Sequence, residues 1–136
     1  MLLTDHAGWV ASYTRQRTCQ SSFFSSATPL SFSADLWYVV VQGVAKLLDF
    51  LKQAFEAKEV HRPMMRPDGA IRHAEVRVGG SVVMMGEPMG EFTPMPGSLY
   101  VYVSDTDAIY KRALQAGATS LTEPADQFYG DRNASV

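Results

Sequence analysis

Cysteine is nearly absent. The 136-residue chain has one, Cys19, so no internal disulfide forms and no oxidising compartment is required. A reactive thiol needs an electropositive, partly exposed setting, and no motif around Cys19 points to one. Charge is sparse too: 19% of residues are charged and the net charge is -2. A general nucleic-acid binder carries a basic excess or patch, so that partner class is not expected. No apolar run is long enough to span a bilayer, so no membrane partner is expected either. The composition is that of a soluble globular protein long enough for one domain with a real core, and its expected location is the cytoplasm.

Acidic residues are missing altogether between Asp5 and Asp35, where Arg15 and Arg17 stand and Ser and Thr crowd TCQSSFFSSATPLSFS. Acid-poor, Ser-rich, Arg-containing starts resemble organelle transit peptides. The preferred reading is a disordered or misassigned extension over residues 1–34, because terminal segments are commonly disordered unless tied down. A secretory signal is not expected, since no basic segment and clean apolar block precede a small-residue cleavage site. Residues 35–136 form the expected domain.

What is present is organised around IRHAEVRVGGSVVMMGE, Ile71 to Glu87. A Gly-Gly pair between two apolar-patterned runs predicts a hairpin, with both glycines at positive φ in a type I′ turn. A two-residue loop fixes the register. Val78 then faces Ser81, Val76 faces Val83 and Ala74 faces Met85, which makes one apolar face for a helix to cover. The other face sets Arg77 against Val82, Glu75 against Met84 and His73 against Gly86.

Elsewhere, LWYVVV from Leu36 predicts a strand. Val44, Leu47, Leu48, Leu51 and Phe55 recur at helical spacing and predict a helix from Val44 to Ala57. Lys58–Met64 predicts a short strand and Pro67-Asp68-Gly69 a turn. Glu87–Gly97, with three prolines, reads as a linker. SLYVYVS predicts a strand, and Asp105 caps a helix over Thr106–Ala116 that Gly117 stops. ATSLTEPA predicts a short strand ending at Pro124, and QFYGDRNASV begins another. YVVVQGVAKLLDFLKQA from Tyr38 aligns without gaps on YVYVSDTDAIYKRALQA from Tyr100, which predicts two copies of one supersecondary unit.

These segments, with HAEVRVGGSVVMMGE and PADQFYGDR, resemble the vicinal oxygen chelate superfamily, and within it the glyoxalase/bleomycin-resistance group. The resemblance runs from Leu36 to Arg132. It implies an α+β fold of paired βαβββ modules, module one over 36–91 and module two over 98–136. Their sheets form a curled mixed sheet, a cup with helices outside. It also implies that the last strand of module two is missing after Val136. A partner chain or the N-terminal segment would then fill the edge. Metal-dependent members ligate through a His or Glu on the first strand of each module and through the last strands. The matching positions here are Leu36, Ser98 and Met84 or Met85. Leu cannot ligate and Ser rarely does, so no cofactor is expected and a divalent metal would need a non-standard site.

His73 and Glu75 lie two apart on one strand and share a face. They are the candidate catalytic or polar-anchoring pair. His61, Glu87 and Asp131 are the further donors available to a metal. Tyr38, Tyr100 and Tyr102 are candidates to line an aromatic cup, and Met84 an adaptable wall. Phe128, Tyr129 and Arg132 match the family signature, and all seven are candidate ligand contacts. A core role competes for each aromatic. The function expected from the resemblance is binding or sequestration of a small organic molecule by a homodimer without a metal. The alternatives are a metal-dependent lyase, isomerase or dioxygenase, and a truncated paralogue with only a structural or interaction role.

Overall fold

The computed structural model describes residues 37–95 and 97–136 in full and the backbone of residues 9–15. Module one comprises β2 (Trp37–Val40), α1 (Val44–Phe55), β3 (Lys58–Glu59), β4 (Met64–Met65), β5 (Ile71–Val78) and β6 (Ser81–Gly86). Module two comprises β7 (Gly97–Tyr102), α2 (Thr106–Gln115), β8 (Thr122–Asp126) and β9 (Arg132–Ser135). A further strand, β1 (Trp9–Arg15), precedes both.

The hairpin forms in the expected register, with Val76 against Val83, Glu75 against Met84 and Val78 against Ser81. Its turn differs from the expected type I′. Gly79 alone has positive φ, 57°, which is the II′ pattern with glycine at the first central position. Ala74, Val76, Val83 and Met85 are buried under α1. Val44, Leu48 and Leu51 of α1 close that core from above. Each such aliphatic side chain contributes about 1.5–3 kcal/mol on full burial.

Helix α1 stops at Phe55, short of the expected Ala57. Glu56 turns into the left-handed region at φ 56°, and the Ala57 N–H reaches back to the Leu51 carbonyl. That six-residue return satisfies an orphan carbonyl and ends the helix. The expected strand over Lys58–Met64 is split. Lys58 and Glu59 pair with Arg77 and Val76, while Met64 and Met65 pair with His73 and Ile71. Pro63, which lacks an N–H, lies in the gap.

Module two repeats the plan. Leu99, Val101 and Val103 pack inward while Ser98, Tyr100 and Tyr102 are exposed on the other face, the expected parity. Asp105 accepts from the Ala108 N–H at 3.0 Å and caps α2. Phe50, Ala54 and Phe55 of α1 meet Ile109, Tyr110 and Ala113 of α2 in a second core, so α1 serves both modules. Strand β8 runs through Pro124 and does not end there. It lies at the edge of its sheet, with a register shift between Thr122 and Ala125, and an edge tolerates a residue that cannot donate.

The five-stranded sheet has the order β2-β6-β5-β3, with β4 also on β5. The four-stranded sheet has the order β7-β1-β9-β8. Strand β1 therefore lies where β6 lies in module one, beside the first strand of the module and parallel to it. It pairs antiparallel with β9 on its other side, Tyr13 against Ala134. The strand position that the sequence leaves open in module two is occupied by a segment from the start of the same chain. The rest of the 1–34 stretch lies outside the described residues.

Candidate functional site

A cavity of about 530 Å³ opens in module one, lined by Tyr38, Val40, Met64, Arg66, Arg72, His73, Glu87, Met89 and Phe92. This is the size of a small-molecule pocket, and the mixture of apolar wall with few polar groups is typical of one. Strands β2 (Tyr38, Val40), β4 (Met64) and β5 (Arg72, His73) supply its walls. Met84, which lies between Tyr38 and Glu75 in the sheet, is outside that lining, as is Glu75 itself.

Tyr38 and His73 stack with ring centroids 5.7 Å apart and planes 20° from parallel. The Tyr38 hydroxyl donates to the Arg72 carbonyl at 3.3 Å. Gly86 permits this approach, because a Cβ there would meet the Tyr38 hydroxyl and lie 2.6 Å from the Arg72 carbonyl oxygen. His73 Nε2 and Glu75 Oε1 are 2.9 Å apart. An ionised carboxylate only accepts, so Nε2 donates and Nδ1 is the ring nitrogen without a partner among the described residues. Both side chains are half-buried, at 29% and 25% exposure.

Glu87 has a different employment from the ligand role the sequence offers it. Its carboxylate accepts from the Gly43 N–H at 3.1 Å and from the Val44 N–H at 2.9 Å. It therefore caps α1 from the far end of the hairpin. Gly43, with φ 80°, brings no side chain of its own to the task. Arg66 donates to the Pro88 carbonyl at 3.0 Å and pairs with Asp68 at 3.3 Å. The Ala70 N–H, then the Arg66 charge, hold the Asp68 carboxyl below the usual range.

Arg72 is the residue that sequence alternation missed. The β4–β5 ladder shifts register there, with Met65 opposite Ile71 and Met64 opposite His73, so Arg72 is the extra residue of a β-bulge. A bulge re-aims side chains locally. Ile71 and Ala74, three apart, are both buried in the same core, which strict alternation forbids. The signal was present in IRHAEV: two polar residues in succession where period two allows one.

The other candidates divide. Tyr100 and Tyr102 meet edge to face at 5.4 Å on the exposed side of β7, outside the lining of this cavity. Phe128 and Tyr129 do the same at 5.0 Å in the β8–β9 turn, where Phe128 is 99% exposed and the Tyr129 hydroxyl accepts from Asn133 at 2.6 Å. Arg132 grips α2 through both carboxylate oxygens of Asp107, at 2.6 and 2.9 Å, and reaches Asp126 at 3.3 Å. Those bonds hold the Asp107 carboxyl below its ordinary range and the Arg132 guanidinium above its own.

The donor set for a metal is poor among the described residues. No group of three or more His, Cys, Asp and Glu side chains converges. Ser98 is exposed, Met85 is fully buried under α1, and His61 is exposed away from the cavity lining. Leu36 lies outside the described residues. Among those residues no helix is long and apolar enough to cross a membrane.

Residues 34–134 match the family model described as Glyoxalase/Bleomycin resistance protein/Dioxygenase superfamily. The chain is 37% identical over 110 residues to an uncharacterized protein of Mycobacterium bovis, covering 73% of this chain and 72% of that one. It has the same identity to an uncharacterized protein of Mycobacterium tuberculosis, of whose length it spans 64%. Among solved structures it is similar to TioX from Micromonospora sp. ML1, with a TM-score of 0.59 and 25% identity over 75% of this chain and 84% of that chain. A gene product from Arabidopsis thaliana shares the fold, with a TM-score of 0.52 and 20% identity over 65% of this chain and 74% of that one.

Proposed function

Because the chain belongs to the glyoxalase/bleomycin resistance/dioxygenase superfamily, we infer that module one's cup binds a small organic molecule, as a binding or sequestering domain, without a bound metal. The Tyr38–His73 stack on the cavity wall carries this reading. A stacked pair with an edge of methionine and Phe92 offers a flat ligand an adaptable aromatic seat. The metal-free part rests on the donor chemistry, since Leu36 and Ser98 stand at the family's ligand positions and no alternative cluster converges among the described residues.

One observation favours a second reading. The His73–Glu75 contact at 2.9 Å is the geometry of a base oriented by a carboxylate, as an isomerase or lyase would need. Glu75 then orients His73, and His73 takes the proton. The chain works as a homodimer in the cytoplasm. The dimer reading is supported by the large apolar side chains left exposed, among them Trp37 at 73%, Met95 at 70% and Phe92 at 67%, which a second copy of the chain would cover.

The test is calorimetric titration of the full chain with a panel of planar aromatic compounds, before and after metal chelation, on the parent, His73→Ala and Glu75→Gln. Binding that survives chelation and weakens about tenfold or more in His73→Ala is expected, the loss of one stacked aromatic plus a polar contact. A stoichiometric Zn²⁺, Ni²⁺, Mn²⁺ or Fe²⁺ that restores activity overturns the metal-free reading. Affinity unchanged in both variants returns the hairpin to being scaffold.

A further inference from the structure

We propose that the cup selects a planar aromatic acid, and that Arg72 is the residue that anchors the acid group. This rests on the small-molecule reading of the same cavity and adds the ligand's charge.

The inference comes from accounting for every charged group that lines the cavity. Glu87 is committed to the two N–H groups that open α1. The partial positive charge of a helix start offsets its carboxylate. Arg66 is committed to Asp68 and the Pro88 carbonyl, and its side chain is only 21% exposed. The Nε2 of His73 is committed to Glu75, whose carboxylate lies next along the strand. Arg72 alone remains. It lines the cavity, it is exposed, and its guanidinium has no ion pair or hydrogen bond among the described residues. Of the two arginines in the lining, Arg72 is therefore the one whose guanidinium has no partner among the described residues.

Its position is set by the bulge. With Arg72 the extra residue against β4, the guanidinium stem leaves the backbone beside His73, and its own carbonyl is bonded to the Tyr38 hydroxyl. The anchoring charge and the stacking pair are thus tied to one short piece of backbone. A carboxylate on the rim of an aromatic ring places charge and plane together in the same way. A guanidinium meets a carboxylate with two parallel N–H donors, which fixes orientation as well as charge. A cationic or neutral aromatic would leave that fork unanswered, and a cation would be repelled by it.

The experiment uses 2-naphthoate and its neutral amide, 2-naphthamide, as probes. Each is titrated into the full chain and into Arg72→Gln at low and high salt. The parent is expected to bind the acid ~10- to ~100-fold more tightly than the amide, the range for a charge-assisted pair, with the preference shrinking at high salt. In Arg72→Gln the preference disappears while the amide still binds, which also shows that the variant is folded. Equal affinity for both probes in the parent overturns the anion anchor and leaves the cup as a binding site. A preference that persists in Arg72→Gln overturns the assignment to Arg72. Failure of both probes to bind overturns this inference together with the aromatic-cup reading on which it rests.

Discussion

Replacing Glu87 is expected to damage the fold before it damages the cup. Glu87 lines the cavity, so a functional role is the first thought, but its oxygens are taken by the Gly43 and Val44 N–H groups at 2.9–3.1 Å. Gly43 has no side chain, so no local residue can substitute. Loss of a helix N-cap costs about 1 kcal/mol and up to about 2. Removing a carboxylate from a partly buried helix start adds about 1 more. Glu87→Ala should therefore lose about 2–3 kcal/mol, a large share of the ~5–15 kcal/mol that holds a domain of this size. Glu87→Gln keeps an acceptor oxygen and should lose only about 1 kcal/mol. Urea unfolding followed by far-UV circular dichroism reads both as shifts in midpoint at constant slope. The larger loss corresponds to a Tm lower by roughly 8–12 °C. A Glu87→Ala protein within ~0.5 kcal/mol of the parent, the range of an ordinary surface change, would refute the cap. So would a Gln variant less stable than the Ala one.

Strand β1 is central in its sheet, so Ser12→Pro, which removes an N–H between two neighbours and leaves a ladder acceptor unpaired, should cost about 1–3 kcal/mol. In size-exclusion chromatography and thermal unfolding it should show association beyond the parent's state and loss of a single cooperative transition, because the β7 and β9 edges are then available to other chains; an elution volume and Tm unchanged from the parent would count against the strand order. The Asp107–Arg132 pair predicts a pH dependence of known sign. The folded pKa of Asp107 lies below its ordinary value of 3.8, so its contribution is full above that value and is lost as pH falls through the lower, folded one. The stability gap between the parent and Asp107→Asn should be constant near neutrality and close in acid below pH 3.8. A gap that widens on acidification would contradict the pairing.

Local pattern made the hairpin legible. Gly79-Gly80 set the loop length, alternation set the faces, and together they fixed the partners from Ala74–Met85 to Val78–Ser81. The same two-residue period put Tyr100 and Tyr102 outside and Leu99 and Val101 inside. Strand β1 was not legible as a strand of module two. Its neighbours, β7 and β9, lie some 90 and 120 residues away in sequence, and no periodicity within WVASYTR encodes a pairing that distant. The repeat did show that a strand was wanting there, because module one has β6 in the corresponding position. The turn type escaped for a simpler reason: Gly-Gly satisfies I′ and II′ equally.

At the site, residue types were legible and their commitments were not. His73, Glu75, Glu87, Arg72 and Arg132 are equally polar on paper. The fold sorts them by who reaches them first. Glu87 is claimed by a helix start 43 residues away, and Arg132 by a helix 25 residues away. A polar group already engaged must break those bonds to serve a ligand, while a free one has only water to lose. Among the described residues His73 keeps one ring nitrogen without a partner, and Arg72 its whole guanidinium. The proposed ligand contacts are therefore drawn from the residues that the scaffold leaves over. The bulge that breaks the alternation of β5 is what places both of them side by side.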